Sequence, residues 1–284
     1  LRELARESHA SEPYIGFGDP LLDGDPTKFK DDAMAAKLAR EKRCDPTPPR
    51  RVALLGLRGG SRMVSRSNAG VVDVADLRTW APLPETADEL CDVAHDFDVD
   101  PATHVYLGAA ATETKIKELS EAGALAKHKI VHFATHGAVA GEISSATEPG
   151  LLLTPPAKAS EIDDGYLSAS DIAALKLDAD WVILSACNTA AGDAKGAESL
   201  SGLARAFFYA GARSLLVSHW EVASEPTVKL ITKAVDELNR DPKIGRAEAL
   251  RRSMLSMIDT GKEYEAHPAF WAPFVLVGEG GEAR

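Results

Sequence analysis

Apolar runs alternate with segments of helical period along most of this chain. Short apolar runs predict strands over residues 13–17, 51–57, 104–107, 129–135, 150–153, 181–185, 214–218 and 274–277. Several of these runs are continuous rather than alternating, as expected for strands covered on both faces. Helical spacing predicts helices over 86–97, 112–126, 168–175, 198–210, 225–239 and 246–258. Pro84-Glu85-Thr86 suits a helix start and Gly211 a helix stop. Strand and helix in alternation give a mostly parallel sheet between helical layers, an α/β fold. No internal repeat is visible.

The first fifty residues are less regular. Gly16-Phe17-Gly18-Asp19-Pro20 reads as a turn after the first strand. Residues 29–51 are dense in charge, with a helix expected over 31–43, and Asp45-Pro46-Thr47-Pro48-Pro49 excludes regular structure. This stretch reads as an exposed insertion or linker. Residues 59–70, rich in Gly, Ser and Arg, read as a mobile loop. The division expected is an N-terminal segment, 1–50, belonging to the same domain as a main body, 51–284.

Composition narrows the function classes. With 284 residues, 45% apolar and 26% charged, the chain can bury a sizeable core. A formal charge of -11 argues against nucleic acid as a direct partner, since phosphate binding needs a cationic surface. No apolar run approaches the roughly 18–20 residues of a membrane span, so no membrane partner is expected. The three cysteines, Cys44, Cys91 and Cys187, are odd in number and form no CxxC pair. That argues against a disulfide scaffold or a zinc ribbon, favours a reducing, cytoplasmic compartment, and leaves Cys44 and Cys91 inert. With Leu1 first, the sequence reads as a piece of a longer chain.

Two segments carry the chemistry. Ile130-Val131-His132-Phe133-Ala134-Thr135-His136-Gly137 and Trp181-Val182-Ile183-Leu184-Ser185-Ala186-Cys187-Asn188-Thr189 are apolar strands ending in small and polar residues. Each places a reactive side chain at the strand's C-terminal end, where open α/β sheets bind ligands. Neighbouring strands lie about 4.8 Å apart; if these two are adjacent, imidazole and thiol face each other. An imidazolium lowers the thiol pKa, and the thiolate is the nucleophile. The same ring can protonate a leaving amine. The N–H groups of Gly137 and Cys187 are the natural donors to an oxyanion. No metal or organic cofactor is needed.

The separation of His136 from Cys187, 51 residues, is close to that of the caspase histidine and cysteine. The ordered set is wider. Leu83-Pro84…Glu89, Ile130–Gly137, Gly165-Tyr166-Leu167-Ser168-Ala169-Ser170-Asp171-Ile172, Val182–Thr189, Arg205-Ala206-Phe207…Ala210-Gly211-Ala212, Ser218-His219-Trp220 and His267-Pro268…Trp271-Ala272-Pro273-Phe274 together resemble a CHAT domain. This is the caspase-like peptidase domain often attached to tetratricopeptide repeats in bacteria, in a clan with caspases, separase and gingipains. The resemblance spans about two-thirds of the chain, residues 83–278. It implies a caspase-like three-layer α/β/α sandwich and a Cys187–His136 dyad. The implied function is a cysteine endopeptidase acting on a protein or peptide substrate, regulated by a partner or by an attached repeat or sensor region. The rivals are a caspase-like interaction module with an idle dyad and a thiol hydrolase of small amides. The chain departs from the family pattern after Trp220, where one or two aspartates are usual and Ala223-Ser224 stand here.

The remaining candidates have two readings each. His132 is a core residue or one that orients His136, on the same side of the strand; a zinc site from His132 and His136 is disfavoured, because the segment is a strand and lacks the metalloprotease glutamate. Trp220 lines the substrate groove or the rim of the core. Asp163, Asp164 and Glu221 form an acidic pocket or are solvated loop carboxylates. Gly16-x-Gly18 is a poor dinucleotide signal, and without GxSxG a serine hydrolase is not expected.

Overall fold

The computed structural model describes residues 8–24, 29–42, 44, 71–143, 146–185, 202–219 and 223–281. The chain opens with β1 (Glu12–Gly18) and α1 (Lys30–Lys42), then α2 (Val74–Arg78), α3 (Glu85–Asp96), α4 (Pro101–His104) and β2 (Val105–Leu107). It continues with α5 (Glu113–Glu121), β3 (His128–Ala134), β4 (Gly137–Ala138), β5 (Gly150–Leu152), β6 (Tyr166–Ser168), α6 (Ala169–Ala174) and β7 (Trp181–Leu184). It closes with α7 (Gly202–Ala210), β8 (Ser214–Ser218), α8 (Ser224–Arg240), α9 (Gly245–Thr260) and β9 (Phe274–Gly278).

Six strands form the central sheet in the order β2-β1-β3-β7-β8-β9, parallel except for the antiparallel β9. Strand alternation divides the core into two layers. Ile15, Phe17, Val131, Phe133, Val182, Leu184, Leu215 and Val217 face α5, α6 and α7. Tyr14, Ile130, Ala134, Trp181, Ile183 and Leu216 face α3, α8 and α9. Both faces are apolar, which is why these strands read as continuous hydrophobic runs. The result is the three-layer α/β/α sandwich with a mostly parallel sheet that the sequence led us to expect. A ring row, Tyr106–Phe17–Phe133–Phe207, crosses from β2 to α7 with centroids 5.1, 5.5 and 5.6 Å apart, a spacing that favours offset or tilted contacts. A small antiparallel sheet, β4-β5-β6, sits beyond the end of β3 and covers its own cluster around Leu77, Leu152 and Tyr166.

Most expected elements occur within a few residues of their expected bounds, and the differences have local causes. β1 runs through Gly18, so the glycine pair is strand rather than turn. A Cβ at Gly16 would meet Leu90 at 2.9 Å, and one at Gly18 would meet the Ala134 carbonyl at 2.5 Å; the glycines let α3 pack closely over the strand. His104 ends α4 instead of opening β2, because Asp100 caps that short helix. The helix expected over 112–126 stops at Glu121, and Gly123 turns the backbone left-handed at φ 69°. The expected strand 51–57 and the loop 59–70 lie outside the described residues.

Two expectations about the N-terminal part are corrected. The charged stretch is not a free insertion: α1 packs beside α3, Ala36 is buried, and Arg40 reaches the buried Asp19 carboxylate at 2.8 Å. Cys44 and Cys91 are not inert thiols but a disulfide, with Cα atoms 5.2 Å apart. Their separation of 47 residues hides the pairing in the sequence, and only the side-by-side packing of α1 and α3 brings them together. The argument from cysteine pattern for a reducing compartment falls with it. Among the described residues, no helix is long and apolar enough to cross a membrane.

Candidate active site

The site lies at the C-terminal edge of the parallel sheet. β3 and β7 are neighbours, and Phe133 is the register partner of Leu184. His136 follows Phe133 by three residues and Cys187 follows Leu184 by three. The Ser185 N–H donates to the Phe133 carbonyl at 3.1 Å, which carries the pairing one residue further. Cys187 itself lies outside the described residues, as do Trp220 and Glu221.

The backbone holds His136 firmly. Just before it, the Thr135 hydroxyl donates to the Leu152 carbonyl, and the Leu152 N–H donates back to the His136 carbonyl at 2.9 Å. β5 therefore grips the chain on both sides of the turn. Gly137, buried, opens β4 directly after the histidine and pairs with Leu151. The ring is nearly buried, and its Nε2 lies 2.8 Å from the Ala81 carbonyl. A carbonyl only accepts, so Nε2 carries the proton and Nδ1 is the basic nitrogen of the neutral ring. Trp80 stands edge-on to the imidazole with centroids 5.3 Å apart. This pair, Trp80 and Ala81, went unread in the sequence, because a backbone carbonyl leaves no residue-type signature.

His132 belongs to the core. It is wholly buried, with Nε2 3.0 Å from Glu89 Oε1 and 3.1 Å from Ser185 Oγ, and Nδ1 3.1 Å from the Tyr14 hydroxyl. Glu89 had no assigned role in the sequence beyond its place in the resemblance. His219, exposed, follows the end of β8, and its N–H donates to the Pro273 carbonyl at 3.0 Å. Ala223, where the family pattern suggests aspartate, is buried. The next carboxylate, Glu225, is held by Lys262 at 2.9 Å. No group of three metal-ligating side chains occurs among the described residues.

The acidic loop residues are largely committed to structure. Asp163 accepts from the Thr114 hydroxyl at 2.5 Å and from the Gly165 N–H at 3.1 Å. Asp164 accepts the N–H groups of Val72 at 2.7 Å and Tyr166 at 3.0 Å, fixing the start of β6. Its own N–H donates to Glu113. Burial pushes the Glu113 carboxyl up to about 7, outweighing the Lys117 ammonium and that N–H. The folded chain thus holds a proton that the unfolded chain releases near 4.5. This contribution to stability is present below that pH and is lost as pH rises towards about 7. Thermal midpoints of wild type and Glu113→Gln should therefore diverge between those pH values, with wild type losing ground. A difference that stays constant across that range would contradict the assignment.

A mostly parallel α/β/α sandwich, with a histidine and a cysteine following the ends of adjacent strands, defines a caspase-like domain. The chain belongs to the CHAT domain family, whose model matches residues 2–279. It is 27% identical over 232 residues to tetratricopeptide repeat protein 28 of Mus musculus, and 25% identical over the same length to that of Homo sapiens. Each alignment covers 72% of this chain but 9% of the relative, so the chain spans only a small part of their length.

Proposed function

We propose that this chain is a cysteine endopeptidase that cleaves a protein or peptide substrate through Cys187 and His136. The observation that carries the reading is the register: His136 and Cys187 stand three residues beyond paired positions of adjacent parallel strands. The pinning of His136 Nε2 by Ala81 supports it, since it leaves Nδ1 as the proton acceptor. In this reading the Cys187 thiolate attacks the scissile carbonyl carbon, and the N–H groups of Cys187 and Gly137 receive the oxyanion. As the C–N bond breaks, His136 gives its proton to the leaving amine. Water then hydrolyses the thioester and frees the thiol.

Trp220 and Glu221 are the pocket residues in this reading. Asp164, with its carboxylate spent on two backbone N–H groups, is a structural acid. The names of the relatives support a parent chain that carries tetratricopeptide repeats, and such a region would regulate access to the dyad. Those same names mention repeats and no peptidase, which favours a second reading: an interaction module with an idle dyad. A peptide-library cleavage profile separates the two. Wild type should give a defined residue preference and Cys187→Ala no products; identical profiles, or none from wild type, would support the module.

A further inference from the structure

Four polar side chains from four elements meet inside the apolar layer beneath the site: Tyr14 of β1, Glu89 of α3, His132 of β3 and Ser185 at the exit of β7. All four are fully buried. The His132 Nε2–H bonds Ser185 Oγ at 3.1 Å, and Glu89 Oε1 lies 3.0 Å from the same nitrogen as its buried charged neighbour. Burial and the nearby Glu89 charge push the Tyr14 phenol well up, so it keeps its proton and donates to Nδ1.

Such a cluster is a poor way to gain stability. Removing a carboxylate from water costs several kcal/mol before pairing offsets it, and apolar side chains of equal volume often do as well. What directional bonds add is position, because buried hydrogen bonds fix angles that apolar contacts leave free. The placement matters here. His132 lies within β3, four residues before His136, which follows the end of that strand, and Ser185 lies two residues before Cys187. α3 serves both ends, since its lead-in supplies the Ala81 carbonyl that holds His136 and its interior supplies Glu89.

We propose that Glu89 is a positioning residue for the dyad, acting through His132 and Ser185 on the two strand ends that present His136 and Cys187. It is too deep to touch a substrate. The inference rests on the assignment of Cys187 as nucleophile, and the experiment is arranged so that the two can fail separately. Two variants are compared with wild type: Glu89→Met, which removes the carboxylate at similar volume, and Ser185→Ala, which removes only the hydroxyl. Each is assayed for peptide cleavage and for the rate of Cys187 alkylation by iodoacetamide, per folded molecule.

A shift of strand ends by a fraction of an ångström to 1 Å should lower kcat by about 10–100-fold. KM should be unchanged, and alkylation should slow in the same order. A purely structural role would lower the thermal midpoint and leave kcat of the folded fraction as in wild type. If Glu89→Met does not fold, Ser185→Ala carries the test. Wild type that cleaves, with kcat in the folded variants within about twofold of it, overturns the positioning role alone. Wild type that neither cleaves nor alkylates faster than free cysteine overturns the nucleophile, and the positioning role with it.

Discussion

Replacing His136 with alanine is expected to slow peptide cleavage by about 10²–10⁴-fold, the usual contribution of a positioned general acid–base. The stability cost is modest by comparison. The ring gives up one hydrogen bond to Ala81 and its contact with Trp80, on the order of 2–3 kcal/mol with the small cavity included. The variant therefore stays folded, its thermal midpoint falls by a few degrees, and the rate loss is read per folded molecule. KM should change little, because the ring acts on the proton rather than on substrate affinity. Steady-state cleavage at matched folded fraction checks this; a rate within about threefold of wild type would remove His136 from the mechanism.

Reducing the Cys44–Cys91 disulfide should lower stability by about 4 kcal/mol, the chain-entropy value for closing a loop of this length. The bridge spans 47 residues and ties α1 to α3, next to the Arg40–Asp19 ion pair. For a domain of this size the loss corresponds to about 7 °C in thermal midpoint. A scan with and without a phosphine reductant measures it, and Cys44→Ser should match the reduced protein and ignore the reductant. A shift below about 1 °C would mean that the two cysteines do not cross-link the folded chain. The state of this pair in the native host also bears on the compartment.

The sheet was legible because its strands are buried on both faces. Trp181-Val182-Ile183-Leu184 and Ser214-Leu215-Leu216-Val217-Ser218 are unbroken runs that admit little else. His136 was legible for the complementary reason: a polar, reactive side chain stands where an apolar run ends. Its support was not, because Ala81 acts through its carbonyl from 55 residues away. Glu89 looked like an ordinary polar helix position, and only its contact with His132 shows that it faces inward. β4, two residues long, is set by pairing with β5 rather than by its own pattern. The glycines of β1 read as a turn in the sequence, because the close packing of α3 over the strand leaves no local signature.

The most direct test of the central claim is to treat the oxidised protein with a peptide bearing a thiol-directed electrophile and to map the adduct by mass spectrometry. With Cys44 and Cys91 joined, Cys187 is the free thiol. A single adduct at Cys187, formed rapidly in wild type and slowly in His136→Ala, is the predicted result. No adduct at Cys187, or one formed equally fast in both proteins, would contradict the dyad.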